Sequence, residues 1–233
     1  MINMDDILSD DILWQMNYAE KMAILFLLSR LKNKNTALEI GSYKGGFTRV
    51  LAQYFNRVYS CDLDHSSIVH PEQYNNVIWI EGDSRATVVP LIEQINKTEE
   101  RVNLILIDGD HSYEAVSQDI KNVLEYQPLD DSIILIHDSW YSDCRDAINN
   151  ADWNSNPYVE YVEKDFVAGD VCGSQNGNYL VGGLALATFS PKKRHGFVKV
   201  EQSQDHMYSV IKQLLETSKD FYDLKAIWKR MIE

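Results

Sequence analysis

The chain has 233 residues, with 22 Lys plus Arg against 35 Asp plus Glu, a formal charge of -13 and a pI of about 4.8. Such an acid excess is repelled by phosphate backbones and anionic membranes, which excludes nucleic acid as the expected partner. At 45% hydrophobic and 24% charged residues the composition is globular, and the length suits one domain over residues 1–233.

The first 32 residues read as a helical cap, with Leu13, Met16, Met22, Leu25 and Phe26 at roughly helical spacing and Asp10 and Asp11 placed to favour a helix start. The apolar run Met22 to Leu28 is too short to span a bilayer and has no signal-peptide flanks, so no membrane association and a cytoplasmic location are expected. Residues 33–140 alternate short apolar runs with helical stretches. The runs are Ala37–Ile40, Val58–Cys61, Val77–Ile80, Val102–Ile107 and Ser132–Ile136, rich in Val, Ile and Leu, as strands buried on both faces of a parallel sheet are. Val116, Ile120, Val123 and Leu124 form the apolar stripe of a crossover helix. Five such units predict an α/β, doubly wound, Rossmann-like sheet.

Over 141–200 the alternation stops. Tyr158–Val162 and Leu184–Phe189 read as an antiparallel pair at one sheet edge, and the segment from Gly169 to Asn178 suits either a lid or a hairpin connection. Residues 201–233 read as helices, one with Met207, Val210, Ile211, Leu214 and Leu215, the next with Phe221, Leu224, Trp228 and Met231; these faces cover the sheet or serve a homodimer. Cys61, Cys144 and Cys172 lie too far apart to suggest a disulfide framework or a thiolate zinc site.

In an open parallel sheet, ligands bind beyond the carboxyl ends of the strands, and here those ends carry acids. Strand one runs into Glu39-Ile40-Gly41-Ser42-Tyr43-Lys44-Gly45-Gly46. A P-loop would need Lys after the last glycine, where Phe47 stands, and a dinucleotide fingerprint would need glycine where Tyr43 stands. That leaves a ligand with a ribose and an adenine but no phosphates to cradle. Asp62 closes strand two, 23 residues after Glu39, where a carboxylate can accept from a ribose diol or merely cap a helix. Asp83 and Ser84 follow strand three, where Asp83 can accept from an adenine amino group, cap the next helix, or both. Strands four and five end in Asp108-Gly109-Asp110-His111 and His137-Asp138. Clustered carboxylates beside an imidazole suit Mg2+ or Mn2+, whereas taken singly the acids cap helices.

Together these segments resemble the class I S-adenosylmethionine-dependent methyltransferases, with their seven-stranded fold, and within them the branch of macrocin-type sugar O-methyltransferases and cephalosporin-hydroxylase-like proteins. The resemblance covers roughly residues 18–140. It implies that Glu39, Gly41, Ser42, Gly45 and Gly46 surround the amino acid end of S-adenosylmethionine, with Asp62 on the ribose, Asp83 and Ser84 near the adenine, and Asp108 beside the cofactor. It implies a divalent metal on Asp108 and Asp138. Where the macrocin-type pattern has two adjacent acids after strand five, His137 takes the first place, so its service as a third ligand is a separate expectation.

Methyl transfer from a sulfonium needs alignment and an unprotonated nucleophile, which for a hydroxyl means lowering its pKa and removing its proton. Asp110 or His111 is expected to take that proton, from a hydroxyl on a sugar or other small natural product. The rival readings are a NAD-dependent oxidoreductase on the same sheet and a non-catalytic cofactor-binding module. Trp140, Tyr141, Trp153 and Tyr158 line the acceptor pocket or pack the sheet edge.

Overall fold

A computed structural model describes residues 14–174 and 177–217. Among these, α1 (Tyr18–Arg30) precedes β1 (Thr36–Ile40), α2 (Gly46–Tyr54), β2 (Arg57–Asp62), β3 (Val77–Glu81), α3 (Ser84–Lys97), β4 (Val102–Ile107), α4 (Tyr113–Val123), β5 (Ser132–His137) and α5 (Ser142–Asn150). Then come β6 (Val159–Val167), β7 (Asp170–Ser174), β8 (Gly177–Val181), β9 (Leu184–Phe189), β10 (Lys199–Glu201) and α6 (Asp205–Thr217).

Eight strands form one sheet in the order β10-β6-β9-β5-β4-β1-β2-β3. Strands β1 to β5 are mutually parallel where they pair, and β9 runs antiparallel to both β5 and β6. The doubly wound sheet and its antiparallel pair are as expected. The described chain adds one strand to the expected seven, because β10 pairs in parallel with β6 and forms the outer edge. The order reverses between β1 and β4, which opens a crevice at their carboxyl ends.

Period-two side-chain alternation divides the core. Ile105, Ile107, Ile134 and Ile136 face one layer, with Val88, Ile92 and Ile95 of α3, Val116 and Ile120 of α4, and Ile148 of α5. Leu104, Leu106 and Leu135 face the other, against Ile24 and Leu28 of α1 and Val50 and Leu51 of α2. Every residue of β1 and β4 is buried, the pattern of central strands covered on both sides.

Two segments depart from their sequence reading, and a third takes one of its two expected forms. The first helix starts at Tyr18, capped by Asn17, while Trp14 and Met16 are buried ahead of it. Asp10, Asp11 and Leu13 lie outside the described residues. Its buried face is Ile24, Leu25 and Leu28, and Met22 and Phe26 are exposed at 54% and 63%. The helix is apolar on most sides, so periodicity alone does not select the face. The Gly169–Asn178 segment holds the β7–β8 hairpin rather than an open lid. Helix α6 buries Tyr208 against Trp140 and Leu180, beside Ile211 and Leu215, so it covers the hairpin side and leaves Met207, Val210 and Leu214 exposed. The stripe from Phe221 to Met231 lies outside the described residues.

A buried ion pair ties these later elements down. Arg145 on α5 meets the fully buried Asp165 of β6 at 2.7 Å and Asp205 of α6 at 3.2 Å, with its guanidinium 3.7 Å from the centre of the Tyr208 ring.

Candidate active site

A cavity of about 1110 Å3 opens at the carboxyl ends of β1 to β5. Glu39, Gly41, Ser42, Gly46, Asp62, Asp83, Ser84, Asp108, Asp110, His111, His137 and Asp138 all line it. Gly45 does not; it caps α2 in a left-handed conformation, with Ile68 against it. Trp140 and Tyr141 line a smaller pocket of about 230 Å3 elsewhere, while Trp153 and Tyr158 belong to the core.

The β1 turn is held from below by Asp62. Its Oδ2 accepts the backbone N–H groups of Ser42 at 2.8 Å and Tyr43 at 2.7 Å, and Tyr43 sits at a φ of 48°. A left-handed non-glycine residue needs such support, and two N–H groups aimed at one carboxylate oxygen supply it. Oδ1 has only a 3.5 Å contact with the N–H of Asp64. The same side chain therefore braces the turn and lines the cavity.

Glu39 is fully buried beneath that turn, accepting from Thr48 Oγ1 at 2.5 Å and Ser60 Oγ at 3.1 Å. Burial raises its carboxyl to about 8, against the two hydroxyls, which lower it, and with Asp108 and Asp62 adding to the rise. Burial thus favours the protonated form of Glu39, and a cation placed against it would favour the ionised one.

Asp83 caps α3 through the N–H of Arg85 at 2.9 Å, and the Arg85 side chain grips both of its oxygens at 2.5 to 3.0 Å. That pair holds the Asp83 carboxyl down at about 2. Sequence reasoning missed Arg85, and it missed Asp119 of α4, which lies buried beside Ser84 with its carboxyl raised by burial to about 6.

Where β4 and β5 end, two imidazoles and three carboxylates meet. His137 Nδ1 lies 2.9 Å from Asp108 Oδ1 and 3.1 Å from Asp138 Oδ2. His111 Nε2 lies 3.3 Å from Asp138 Oδ2 and 3.6 Å from Asp108 Oδ1. Asp138 takes a φ of 54° and accepts the N–H of Gly182 at 2.6 Å. The third carboxylate is Glu20 of α1, with Oε2 3.3 Å from His137 Nε2. Burial opposes a charge on His137, but Asp108, then Asp138 and Glu20, hold its pKa well above the ordinary value. Asp138 lies near 2 because His137 and His111 outweigh its burial. Asp108 holds His111 above the ordinary value as well, with Asp138 adding to the rise. Asp110 is exposed and accepts the N–H of Ser112 at 2.9 Å in the turn that opens α4. Sequence reasoning missed Glu20 as well: its one local signal is the three-residue spacing from Asn17 that suits a capping box, and nothing local ties it to His137.

Residues 38–139, the stretch that holds β2 to β5, the end of β1 and every predicted site residue, match the family model described as a methyltransferase domain. Over these residues the chain is similar to a methyltransferase domain, consistent with the class I S-adenosylmethionine-dependent methyltransferases. Solved structures share the fold of this chain. An O-methyltransferase from Bacillus cereus, in complex with S-adenosylhomocysteine, superposes with a TM-score of 0.52 at 16% identity, covering 80% of this chain and 88% of its own. A provisionally assigned O-methyltransferase from Klebsiella pneumoniae gives 0.50 at 16% identity, covering 80% and 87%. A provisionally assigned hemolysin from Lactococcus lactis gives 0.55 at 14% identity, covering 82% and 94%. At such identities the likeness is one of fold. No curated protein sequence matches the chain significantly. Among the described residues no helix is long and apolar enough to cross a membrane.

Proposed function

We propose that this protein is a methyltransferase that transfers the methyl group of S-adenosylmethionine to a hydroxyl of a small molecule, assisted by a divalent cation. The observation that carries the reading is the convergence of Asp108, His111, His137 and Asp138 beside the glycine turn, within one cavity.

The turn from Gly41 to Gly46 offers backbone to the amino acid end of the cofactor, and Glu39 beneath it would ionise against the cofactor ammonium. Asp62 Oδ1 and Asp83 stand at the ends of β2 and β3 for the ribose and the adenine. The cluster fits a cation, since Asp108, His137 and Asp138 can each offer one ligand atom with all three within 4.8 Å of one another. Two carboxylate oxygens and one imidazole suit Mg2+ or Mn2+, which would lower the pKa of the acceptor hydroxyl and fix its position.

The proton falls to His111. Its Nε2–H directed at Asp138 leaves Nδ1 as the basic atom, and Asp138 with Asp108 stabilises the imidazolium that forms. Asp110, the other candidate, has one oxygen engaged with Ser112.

Nine carboxylates line the cavity against two permanent cations, Lys21 and Arg85, and Arg85 is already held by Asp83. A cofactor of net charge about +1 and a divalent cation leave that balance negative, so the acceptor is neutral or cationic; phosphorylated acceptors and nucleic acid are repelled.

Calorimetry separates the cofactor readings: S-adenosylhomocysteine binds in the micromolar range and NAD does not, and the reverse result discards the proposal. Methyl transfer to a panel of neutral, amino-bearing and phosphorylated sugars, run with Mn2+ and with chelator, tests the acceptor and the cation. Turnover that survives both chelator and Asp108→Asn removes the metal from the scheme.

A further inference from the structure

Glu20 is the third residue of α1, and in a capping box that position needs only to reach back to the helix cap. Such a carboxylate ordinarily stays in water, yet Glu20 is 1% exposed. Burying it is costly unless every lone pair finds a donor. The donors come from three separate parts of the chain. Oε2 accepts the N–H of Asn17 at 2.7 Å and faces Nε2 of His137 at 3.3 Å, and Oε1 accepts the N–H of Gly183 at 2.6 Å.

The two glycines before β9 make this arrangement possible. Gly182 and Gly183 have φ values of 67° and 82°, and a Cβ on Gly182 would lie 2.6 Å from Glu20 Oε1. Their successive N–H groups hold two different carboxylates: Gly182 donates to Asp138 Oδ1 and Gly183 to Glu20 Oε1. His137 lies between those carboxylates, with Nε2 toward Glu20 and Nδ1 toward Asp138 and Asp108.

We propose that Glu20 is a positioning residue of the active site: by accepting the Nε2–H of His137 it fixes the ring so that Nδ1 is presented between Asp108 and Asp138. The first turn of α1 is thereby part of the catalytic apparatus and not only a cover over the cavity. An imidazole that ligates a cation through one nitrogen needs its other N–H held, and a carboxylate in that place sets tautomer, ring plane and basicity together. Helix capping alone explains the contact with Asn17; it explains neither the contact with His137 nor that with Gly183. The metal-affinity part rests on the proposed reading of Asp108, His137 and Asp138 as cation ligands.

The test uses the full chain labelled with 15N-histidine, with the His137 ring assigned by its loss in His137→Gln. In the wild type the Nε2 proton of His137 is observed and hydrogen-bonded. In Glu20→Gln the amide turns its NH2 either toward Gly183 or toward Asn17 and His137, and the carboxylate charge is lost in both cases, so that proton signal shifts or disappears and the affinity for Mn2+ alone falls about 10- to 100-fold. Asn17→Ala removes the cap of the same helix without touching His137; it lowers Tm and leaves the ring signal and Mn2+ affinity as they were. A wild-type ring lacking the Nε2 proton overturns the proposal without any variant. So does a Glu20→Gln protein with wild-type ring signals and Mn2+ affinity, or an Asn17→Ala protein that moves both as far. Should wild type fail to bind Mn2+, the metal reading falls, and the ring spectrum still decides the role of Glu20.

Discussion

Gly41 and Asp108 meet backbone to backbone: a Cβ on Gly41 would lie 1.9 Å from the Asp108 carbonyl oxygen. The Asp108 N–H donates to the carbonyl of Ile40 at 2.8 Å, so the turns after β1 and β4 are seated on each other where the sheet reverses direction. The glycine that the sequence presents as a ligand contact is required first by this seating, and its φ of 90° adds a second reason.

Gly41→Ala therefore separates the two turns. Strain at a positive φ together with the clash lowers stability by about 3 kcal/mol or more, and S-adenosylhomocysteine binding is lost with it. Gly109→Ala is the control, because its Cβ would meet its nearest neighbours at an ordinary 3.6 to 3.7 Å. Denaturant melts and calorimetry on the two variants read the difference.

Glu39 makes stability depend on pH. Its folded value of about 8 lies above the ordinary 4.5, so the folded chain holds a proton that the unfolded chain releases. The contribution is fully present below pH 4.5 and is lost as pH rises through about 8, a change of about 5 kcal/mol. Glu39→Gln should flatten this slope, so its Tm relative to wild type rises between pH 5 and pH 9. Binding S-adenosylhomocysteine at pH 7 should release up to one proton from wild type and none from Glu39→Gln. Titration calorimetry in two buffers of different ionisation enthalpy measures that proton.

On the proposed reading of Asp83 as an adenine contact, Arg85 competes with the ligand for it. Both oxygens of Asp83 are engaged by an exposed guanidinium, so an adenine amino group must displace a contact of modest strength. Arg85→Gln should tighten S-adenosylhomocysteine binding by roughly five-fold or less, and Asp83→Ala should weaken it. Equal affinities across the three proteins would remove Asp83 from the adenine site.

Arg145 anchors α5, β6 and α6 from a buried position, so Arg145→Ala leaves Asp165 as an uncompensated buried charge. A loss of about 3–5 kcal/mol follows, roughly 10 °C in Tm. Asp165 and Arg145 lie apart from the large cavity, so at a temperature where the variant is folded its affinity for S-adenosylhomocysteine equals that of wild type.

Strand runs, the glycine turn and the row of acids were readable because each depends on local order: which residues are β-branched, which follow a strand end, which recur at a helical period. Asp62, Asp83, Asp108 and Asp138 were found that way, and all four line the cavity. How they are used was not readable. Asp62 turns one oxygen back to Ser42 and Tyr43, and Asp83 is held by a residue two places on, because unpaired N–H groups and a guanidinium claim the nearest carboxylate once packing brings them into reach.

From its sequence alone this protein is expected to be an acid-lined, doubly wound sheet with a glycine turn that suits an adenosyl ligand without phosphates. Tertiary structure alone decided that Gly41 serves Asp108, that α1 turns Ile24 and Leu28 inward and Met22 and Phe26 outward, and that Glu20 reaches His137 across 117 positions. The reason is the range of the forces involved. Propensity and periodicity act over one turn of chain, whereas the partner of a buried charge is set by whichever element packing delivers to it.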